Sequence, residues 1–499
     1  MVFIAVGILP RFYGVFLFLG LLIYFLNAPL EETVLFFVRS IPFFIALQIT
    51  PGFDSLNAWR LLVLVIFLRW LSRESLKRVF LPLNQSKTAL VLIAILFLTL
   101  LSMTQAENIT LSVKRLFFLV NLSLIGVVIW DLVNQRSDFG KKIIGNAIFP
   151  AVVVSLVGIV QLISVYYLNI FQFVDFWGDK IQRNLYGNAW ADIAVWANTW
   201  FAYFGDRLSL RMFSSFPDSH SFPIFLLLSM PAILAVALKK ISGLFFEKEA
   251  NFWGIIKKRT GLIIIFAPVF LLDVVLTGTR GMWLAGGIIF LLVVFLSLFF
   301  VKFKKMAQSL IMRYFIGHFL IFLMLFGIAY PIFGSPQFQM AKEDTLVFGK
   351  RIKSLMDFSE TSNARRIEIW RDSIKSISRQ PLLGVGIGNF PVVVKEDLAR
   401  AKAGSSAHNL YLHIAAEIGL AALILCLYFI WLLIKKCWDL FISAKDGFDL
   451  VYFGSALLFI PWVLLYSFTD VAIFDERAFL LFAITIGLIL GQKKTSGEV

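Results

Sequence analysis

The stretch Thr88-Ala-Leu-Val-Leu-Ile-Ala-Ile-Leu-Phe-Leu-Thr-Leu-Leu-Ser-Met103 holds no charged residue and does not alternate apolar with polar. Gly281 to Val301 reads the same way, as one continuous apolar block. A helix needs about 20 such residues to cross a hydrocarbon core of about 30 Å. Within that core only helices or closed barrels satisfy their own backbone groups, and barrel strands would alternate. The blocks therefore read as membrane-spanning helices. Composition agrees: of 499 residues 59% are hydrophobic and only 15% charged, with 54 Phe and a mean hydropathy of +0.85. A soluble domain keeps about a quarter of its residues charged to stay hydrated. The fold class is all-α, a polytopic integral membrane bundle.

Outward from those two blocks, candidate spans fall at 11–27, 33–49, 57–71, 88–103, 113–133, 143–168, 216–238, 261–277, 280–301, 313–333, 409–434, 450–469 and 476–491. Between Glu31 and Trp70 two shortish apolar stretches flank Thr50-Pro-Gly-Phe-Asp-Ser. They read as two spans or one broken element, so 12 or 13 transmembrane helices are expected and the side of the N-terminus depends on which. The chain divides into N-terminal spans (1–333), a large extracytoplasmic loop (334–408) and C-terminal spans (409–499).

The net charge of +15 would suit a nucleic-acid partner, but its distribution does not. Lys and Arg cluster in short connectors, Arg69 to Lys87, Lys239 to Arg259, Lys302 to Arg313, Lys435 with Lys436, and Lys493 with Lys494. Alternation of basic with poorly charged connectors puts the basic ones in the cytoplasm. The segments 104–112, 169–215, 278–280, 334–408 and 470–475 then face outward. No nucleic-acid partner is expected. Cys426 and Cys437 lie in or just beyond one span and imply no disulfide framework. Met1 to Pro10 lacks a basic leader, so the first span reads as a retained helix.

Two outward segments are long. Asn169 to Ser215 is rich in aromatic residues, among them Phe171, Trp177, Trp190, Trp196 and Trp200, as suits a segment at headgroup depth. Gly334 to His408 is the only stretch long enough for a small soluble subdomain, and loops of that length usually have a function. Within it Ala364 to Arg379 predicts an amphipathic helix, with Ile367, Trp370, Ile374 and Ile377 on one face, Ser362 or Asn363 as cap and Pro381 as stop. The glycine-rich Pro381-Leu-Leu-Gly-Val-Gly-Ile-Gly-Asn-Phe390 follows. It lacks the helix that a phosphate-cradling loop requires, so a structural turn is the plainer reading.

The four histidines, His220, His318, His408 and His413, show no zinc-ligand spacing, and no nucleophile elbow or Walker sequence is present. Neither a metal nor another cofactor is expected. Ser406-Ala-His408-Asn409 lies where the long outer loop meets a span. An imidazole there can exchange protons near neutral pH as a general base, or His408 and Asn409 can simply cap the helix while Glu417 faces a polar neighbour. Arg280, in the minimal turn Thr277-Gly-Thr-Arg280-Gly, either snorkels, pairs with a carboxylate or binds an anion. Arg365 and Arg366 open the amphipathic helix at the end where a cation is not favoured, although a solvated face is the ordinary explanation. Together, fixed cations and one titratable base on the same membrane face suit a lipid-linked phosphate or diphosphate.

The run Arg366-Ile-Glu-Ile-Trp370, Pro381-Leu-Leu-Gly-Val-Gly, Ala407-His408-Asn409-Leu-Tyr-Leu and Ala416-Glu417-Ile-Gly, preceded by Thr279-Arg280-Gly-Met-Trp, resembles the O-antigen ligase/polymerase family. Each motif is short, but their order and spacing over about 277–420 are specific. The resemblance implies an inverting, metal-independent glycosyltransferase of the bacterial inner membrane, its active site facing the periplasm or exterior. Its donor would be an oligosaccharide on undecaprenyl diphosphate, and its acceptor a hydroxyl of a glycan, lipid or protein. By the same resemblance Arg280 and Arg366 would bind the diphosphate, with Arg365 as fallback, and His408 would activate the acceptor. Asn409, Glu417, Arg211 and Asp218 are supporting candidates. Asp218 stands in Phe213-Ser-Ser-Phe-Pro-Asp218, where the family pattern has Asn. The rival from another class is a transporter or flippase of lipid-linked glycans. Against it, no internal repeat is visible and the polar residues gather in one outer loop instead of at mid-membrane.

Overall fold

The structure, a computed structural model, describes residues 2–47, 58–73, 86–188, 191, 199–204, 207–245, 259–302, 306–339, 361–395 and 406–493. Trp190, Trp196 and residues 340–360 and 396–405 of the two long outer segments lie outside the described residues. The longer helices are α1 (Tyr13–Asn27), α2 (Leu30–Ser40), α3 (Ala58–Arg73), α4 (Lys87–Ser102), α5 (Ile109–Gln135), α6 (Ser137–Ser164), α7 (Ser221–Phe245) and α8 (Arg259–Leu276). They continue with α9 (Arg280–Lys302), α10 (Met306–Gly334), α11 (Thr361–Arg379), α12 (Leu410–Ile418), α13 (Leu420–Ser443), α14 (Gly447–Tyr466) and α15 (Glu476–Gly491). One hairpin interrupts them, β1 (Phe201–Phe204) antiparallel to β2 (Arg207–Leu210) with Phe201 opposite Leu210. The protein is thus almost wholly helical. Among the described residues five helices are long and apolar enough to cross a membrane: α4 with its closing turn, α5, α6, α13 and α14.

Every stretch expected to span contains a helix, but two are broken. The 33–49 stretch holds α2 only as far as Ser40, after which Ile41–Phe43, with Pro42 at its centre, form a short 3-10 turn and extended backbone follows. The 409–434 stretch is two helices, α12 and α13, divided at Gly419. That residue has φ +98°, and a Cβ on it would stand 2.0 Å from the carbonyl oxygen of Leu382. The break therefore exists so that the glycine-rich loop can lie against the helix, and only glycine allows both the turn and the approach.

Burial sorts the helices. α7 is enclosed along nearly its whole described length and packs most extensively on α14, while α5 packs on α15. By contrast α4 and α13 turn Leu92, Ile93, Phe97, Ile424, Leu427 and Trp431 outward, as lipid-facing helices do. The central pair matters for function, because the start of α7 and the end of α14 meet at the same end of the bundle.

The segments expected to face outward meet at that end too. Asn108 donates its backbone N–H to Oδ1 of Asn389 (2.8 Å), Leu410 to the carbonyl of Ser467 (2.8 Å), and Leu210 to Oε1 of Gln337 (2.8 Å). At the opposite end Glu31 pairs with Arg136 and with Arg73, and Lys141 pairs with Asp446.

Candidate functional site

The end of the bundle where the start of α7 meets the end of α14 collects side chains from five segments. Between α8 and α9 the chain reverses over Thr277, Gly278 and Thr279, and Arg280 is the first residue of α9. A Cβ on Gly281 would stand 2.2 Å from Oγ1 of Thr469, so a hydrogen in that position lets the start of α9 touch the connector after α14. Arg211 lies across this reversal. Its Nε donates to the carbonyl of Thr277 (3.2 Å) and its Nη2 to Oγ1 of Thr279 (3.2 Å). Thr279 in turn donates to the carbonyl of Ser219, tying the turn to the start of α7.

Arg366 joins from α11. Arg366, Trp370, Ser373 and Ile377 recur at helical spacing along the face turned to α12; Ser373 and Ile377 are buried, and Nε1 of Trp370 donates to the carbonyl of Ala407 (2.9 Å). The expected apolar face was rotated from this one: Ile374 is 58% exposed and Ile367 is also exposed. The same rotation separates the two arginines, leaving Arg365 exposed and bringing Arg366 to the docking side. Ser362 and Asn363, expected to precede the helix as its cap, lie within α11, which already runs at Thr361.

The charges of Arg366 and Arg280 act on Arg211. Burial chiefly, and then those two neighbours, bring the Arg211 guanidinium down to about 10, still fully charged at neutral pH, while Tyr466 and Asp470 act the other way. Like charges so placed repel one another, and an added anion among them is favoured.

The remaining groups are two imidazoles and a carboxylate. Asp470, buried in the connector between α14 and α15, points Oδ2 at Nδ1 of His220 (3.4 Å) and at Nδ1 of His408 (3.7 Å). The second separation is slightly longer than a direct hydrogen bond. His220 also meets the hydroxyl of Tyr466 through Nδ1 (2.7 Å) and Nη2 of Arg211 through Nε2 (3.4 Å). Burial lowers His220 to about 3 in spite of Asp470, with help from Arg211, Arg366 and His408, so its ring is neutral. Burial pushes the Asp470 carboxyl up, but His220, His408 and Arg366 together hold it well below the usual range, and it is ionised.

Asn409 and His408 divide the two tasks that the sequence left open between them. Asn409 is the helix cap, its Oδ1 accepting from the N–H groups of Tyr411 and Leu412. His408 does not cap. It takes a left-handed backbone (φ +45°), and its side chain is 40% exposed. For a non-glycine residue that conformation is strained, and the Trp370–Ala407 hydrogen bond helps to hold the turn.

Two supporting candidates serve other purposes. Asp218 starts α7, Oδ1 accepting from the N–H groups of His220 (2.8 Å) and Ser221 (2.7 Å). Glu417 lies in a second, buried cluster. Its Oε1 accepts from the N–H of Phe390 (3.1 Å), and its Oε2 faces Nε2 of His413 (3.6 Å). The N–H groups of Val385 and Gly386 donate to the carbonyls of Ala416 and Glu417, so the glycine-rich loop is fastened to α12 as a structural turn. Sequence reading missed His220, Tyr466 and Asp470. Asp470 had a visible signal, an acidic residue in a short outward connector between two apolar spans; His220 stood two residues beyond the quoted Phe213–Asp218 run.

No curated protein matches the chain. Residues 263–427 match the model of a family described as O-antigen ligase, a stretch running from α8 into α13. It includes Arg280, Arg366 and His408, while Arg211, His220, Tyr466 and Asp470 come from outside it. Residues 263–427 are thus similar to an O-antigen ligase domain, and that domain is set in a membrane helix bundle.

Proposed function

We propose that the protein is an inverting, metal-independent glycosyltransferase of the bacterial cytoplasmic membrane. It moves a glycan from undecaprenyl diphosphate to an acceptor hydroxyl at the outer face. The observation that carries this reading is the meeting of Arg211, Arg280 and Arg366, from three separate segments, beside His408 and the ionised Asp470. The arginines bind the diphosphate and neutralise the charge that develops as it leaves, the part a metal plays elsewhere. With Nδ1 of His408 turned to Asp470, Nε2 is the nitrogen that faces the acceptor. It takes the hydroxyl proton as the acceptor oxygen bonds to the anomeric carbon from the side opposite the diphosphate. The anomeric C–O bond breaks, and undecaprenyl diphosphate departs with the electron pair.

The proposal includes thirteen traverses with the N-terminus outside. Its support is that α2 starts beside Arg136 at the basic end, through Glu31, while the N–H of Ala46 donates to the carbonyl of Leu185 at the outer end (2.7 Å). The chain returns through α3, from Arg60 beside Glu476 to Arg73 beside Glu31. An impermeant thiol reagent should label Lys395→Cys but not Asp138→Cys in intact spheroplasts, and the reverse pattern would invert the site.

Purified protein given a defined undecaprenyl-diphosphate glycan and a panel of lipid A core, glycan and protein acceptors should transfer the sugar with inversion and in the presence of chelator. Loss of transfer on chelation, or retention of configuration in the product, would overturn the mechanism.

A further inference from the structure

His220 is a buried titratable group that the transfer chemistry above does not use, and every partner of its ring belongs to the site. Arginine can only donate, so Nη2 of Arg211 requires a lone pair on Nε2 of His220. The single ring proton is then on Nδ1, between the Tyr466 hydroxyl and Oδ2 of Asp470. We propose that His220 is a positioning residue linking the diphosphate clamp to the base, through the path Arg211, His220, Asp470, His408. The inference rests on the glycosyltransferase reading.

The charges around this path fix the direction of its effect. His220 faces Asp470 and Tyr466 from the α14 end, Arg211, Arg366 from α11, and His408; Asp218 holds its backbone N–H. Arg280 acts through Arg211, and His408 also acts on the more distant, buried His413. Asp470 divides its negative charge between His220 and His408. Removing the Nδ1–H of His220 leaves more of that charge to His408 and raises its proton affinity. Removing the Tyr466 hydroxyl gives the Nδ1–H wholly to Asp470 and lowers it. A residue that merely fills space predicts neither sign.

The test is the pH dependence of kcat/KM with one lipid-linked donor. His220→Phe should move the acidic limb up by about half to one pH unit and lower kcat about tenfold, with donor KM within about threefold. Tyr466→Phe should move the limb down, and His220→Asn, whose amide N–H can stand in for Nδ1–H, should restore it. Unmoved limbs in His220→Phe and Tyr466→Phe, or a raised donor KM as the sole effect, would overturn the inference. If His220→Phe does not fold, the direction of the Tyr466→Phe shift decides. If the wild-type protein transfers nothing, the glycosyltransferase reading fails. The linkage is then read without catalysis by nitrogen NMR of histidine-labelled protein, which should find His220 neutral and protonated on Nδ1 down to about pH 4. A cationic His220 at that pH, or the other tautomer, would sink it.

Discussion

His408 and His413 stand five residues apart, each facing a carboxylate at nearly the same separation, 3.7 Å to Asp470 and 3.6 Å to Glu417. Their settings are opposite. The His413 side chain is 7% exposed, its ring lies against Phe390 (centroids 4.9 Å apart), and Glu417 is also bound to the backbone of Phe390. The nearby Arg115 is itself enclosed by the rings of Phe118 and Phe474. Both side chains of that pair are buried among the described residues. Around His408 the partners come from α11, from the α14–α15 connector and from the start of α7, and one ring edge is open. A histidine–carboxylate pair is therefore not a site by its distance. It becomes one when an open side adjoins a cluster of further charged groups.

The sharpest way to break this contrast is to delete each imidazole. His408→Ala should lower transfer by about 10²–10⁴-fold while donor binding is retained, as for a general base. His413→Ala should keep the rate of the folded enzyme and lose about 1–3 kcal/mol of stability, seen as a lower melting temperature in detergent, because a packed ring is removed. His413 points into a filled space, packed against Phe390 and facing Glu417. Equal loss of turnover in both variants would erase the distinction between the clusters.

The arginines sharpen the comparison on α11 itself. Arg366→Ala should raise the donor KM by about 10–100-fold, the worth of a charged hydrogen bond to phosphate, and Arg365→Ala by no more than about twofold. A larger effect at Arg365 would mean that the exposed side of α11 meets the donor. A smaller effect than at Arg366 is expected from the carboxylates. Asp470→Asn keeps the shape and removes the charge, so kcat should fall about tenfold and the acidic limb of the pH profile should move down. Glu417→Gln can still accept from Phe390 and should leave both unchanged.

Much of the fold was legible because lipid imposes a simple rule: a spanning segment must be long, apolar and helical, and composition reports all three. The breaks were not. Ser40–Pro42 and Gly419 interrupt apolar runs for reasons outside those runs, above all the approach of Leu382 to Gly419. On α11 periodicity found the helix but favoured Ile367 and Ile374, which are exposed, over Ser373, which is buried. Docking there is decided by the Trp370–Ala407 hydrogen bond and the surface of α12, and apolar spacing does not encode either.

For the site, the sequence by itself supplied the candidate residue types and an expected side of the membrane: Arg280, Arg366 and His408 could be named from short motifs and connector charge. Only the tertiary structure decided which groups meet. Asp470, Tyr466, His220 and Arg211 share no motif with His408 and join it because α7 and α14 pack together as the buried pair of the bundle, ending at one point. Helix packing is set by complementary surfaces contributed from distant parts of the chain, so no local pattern records the neighbours it creates.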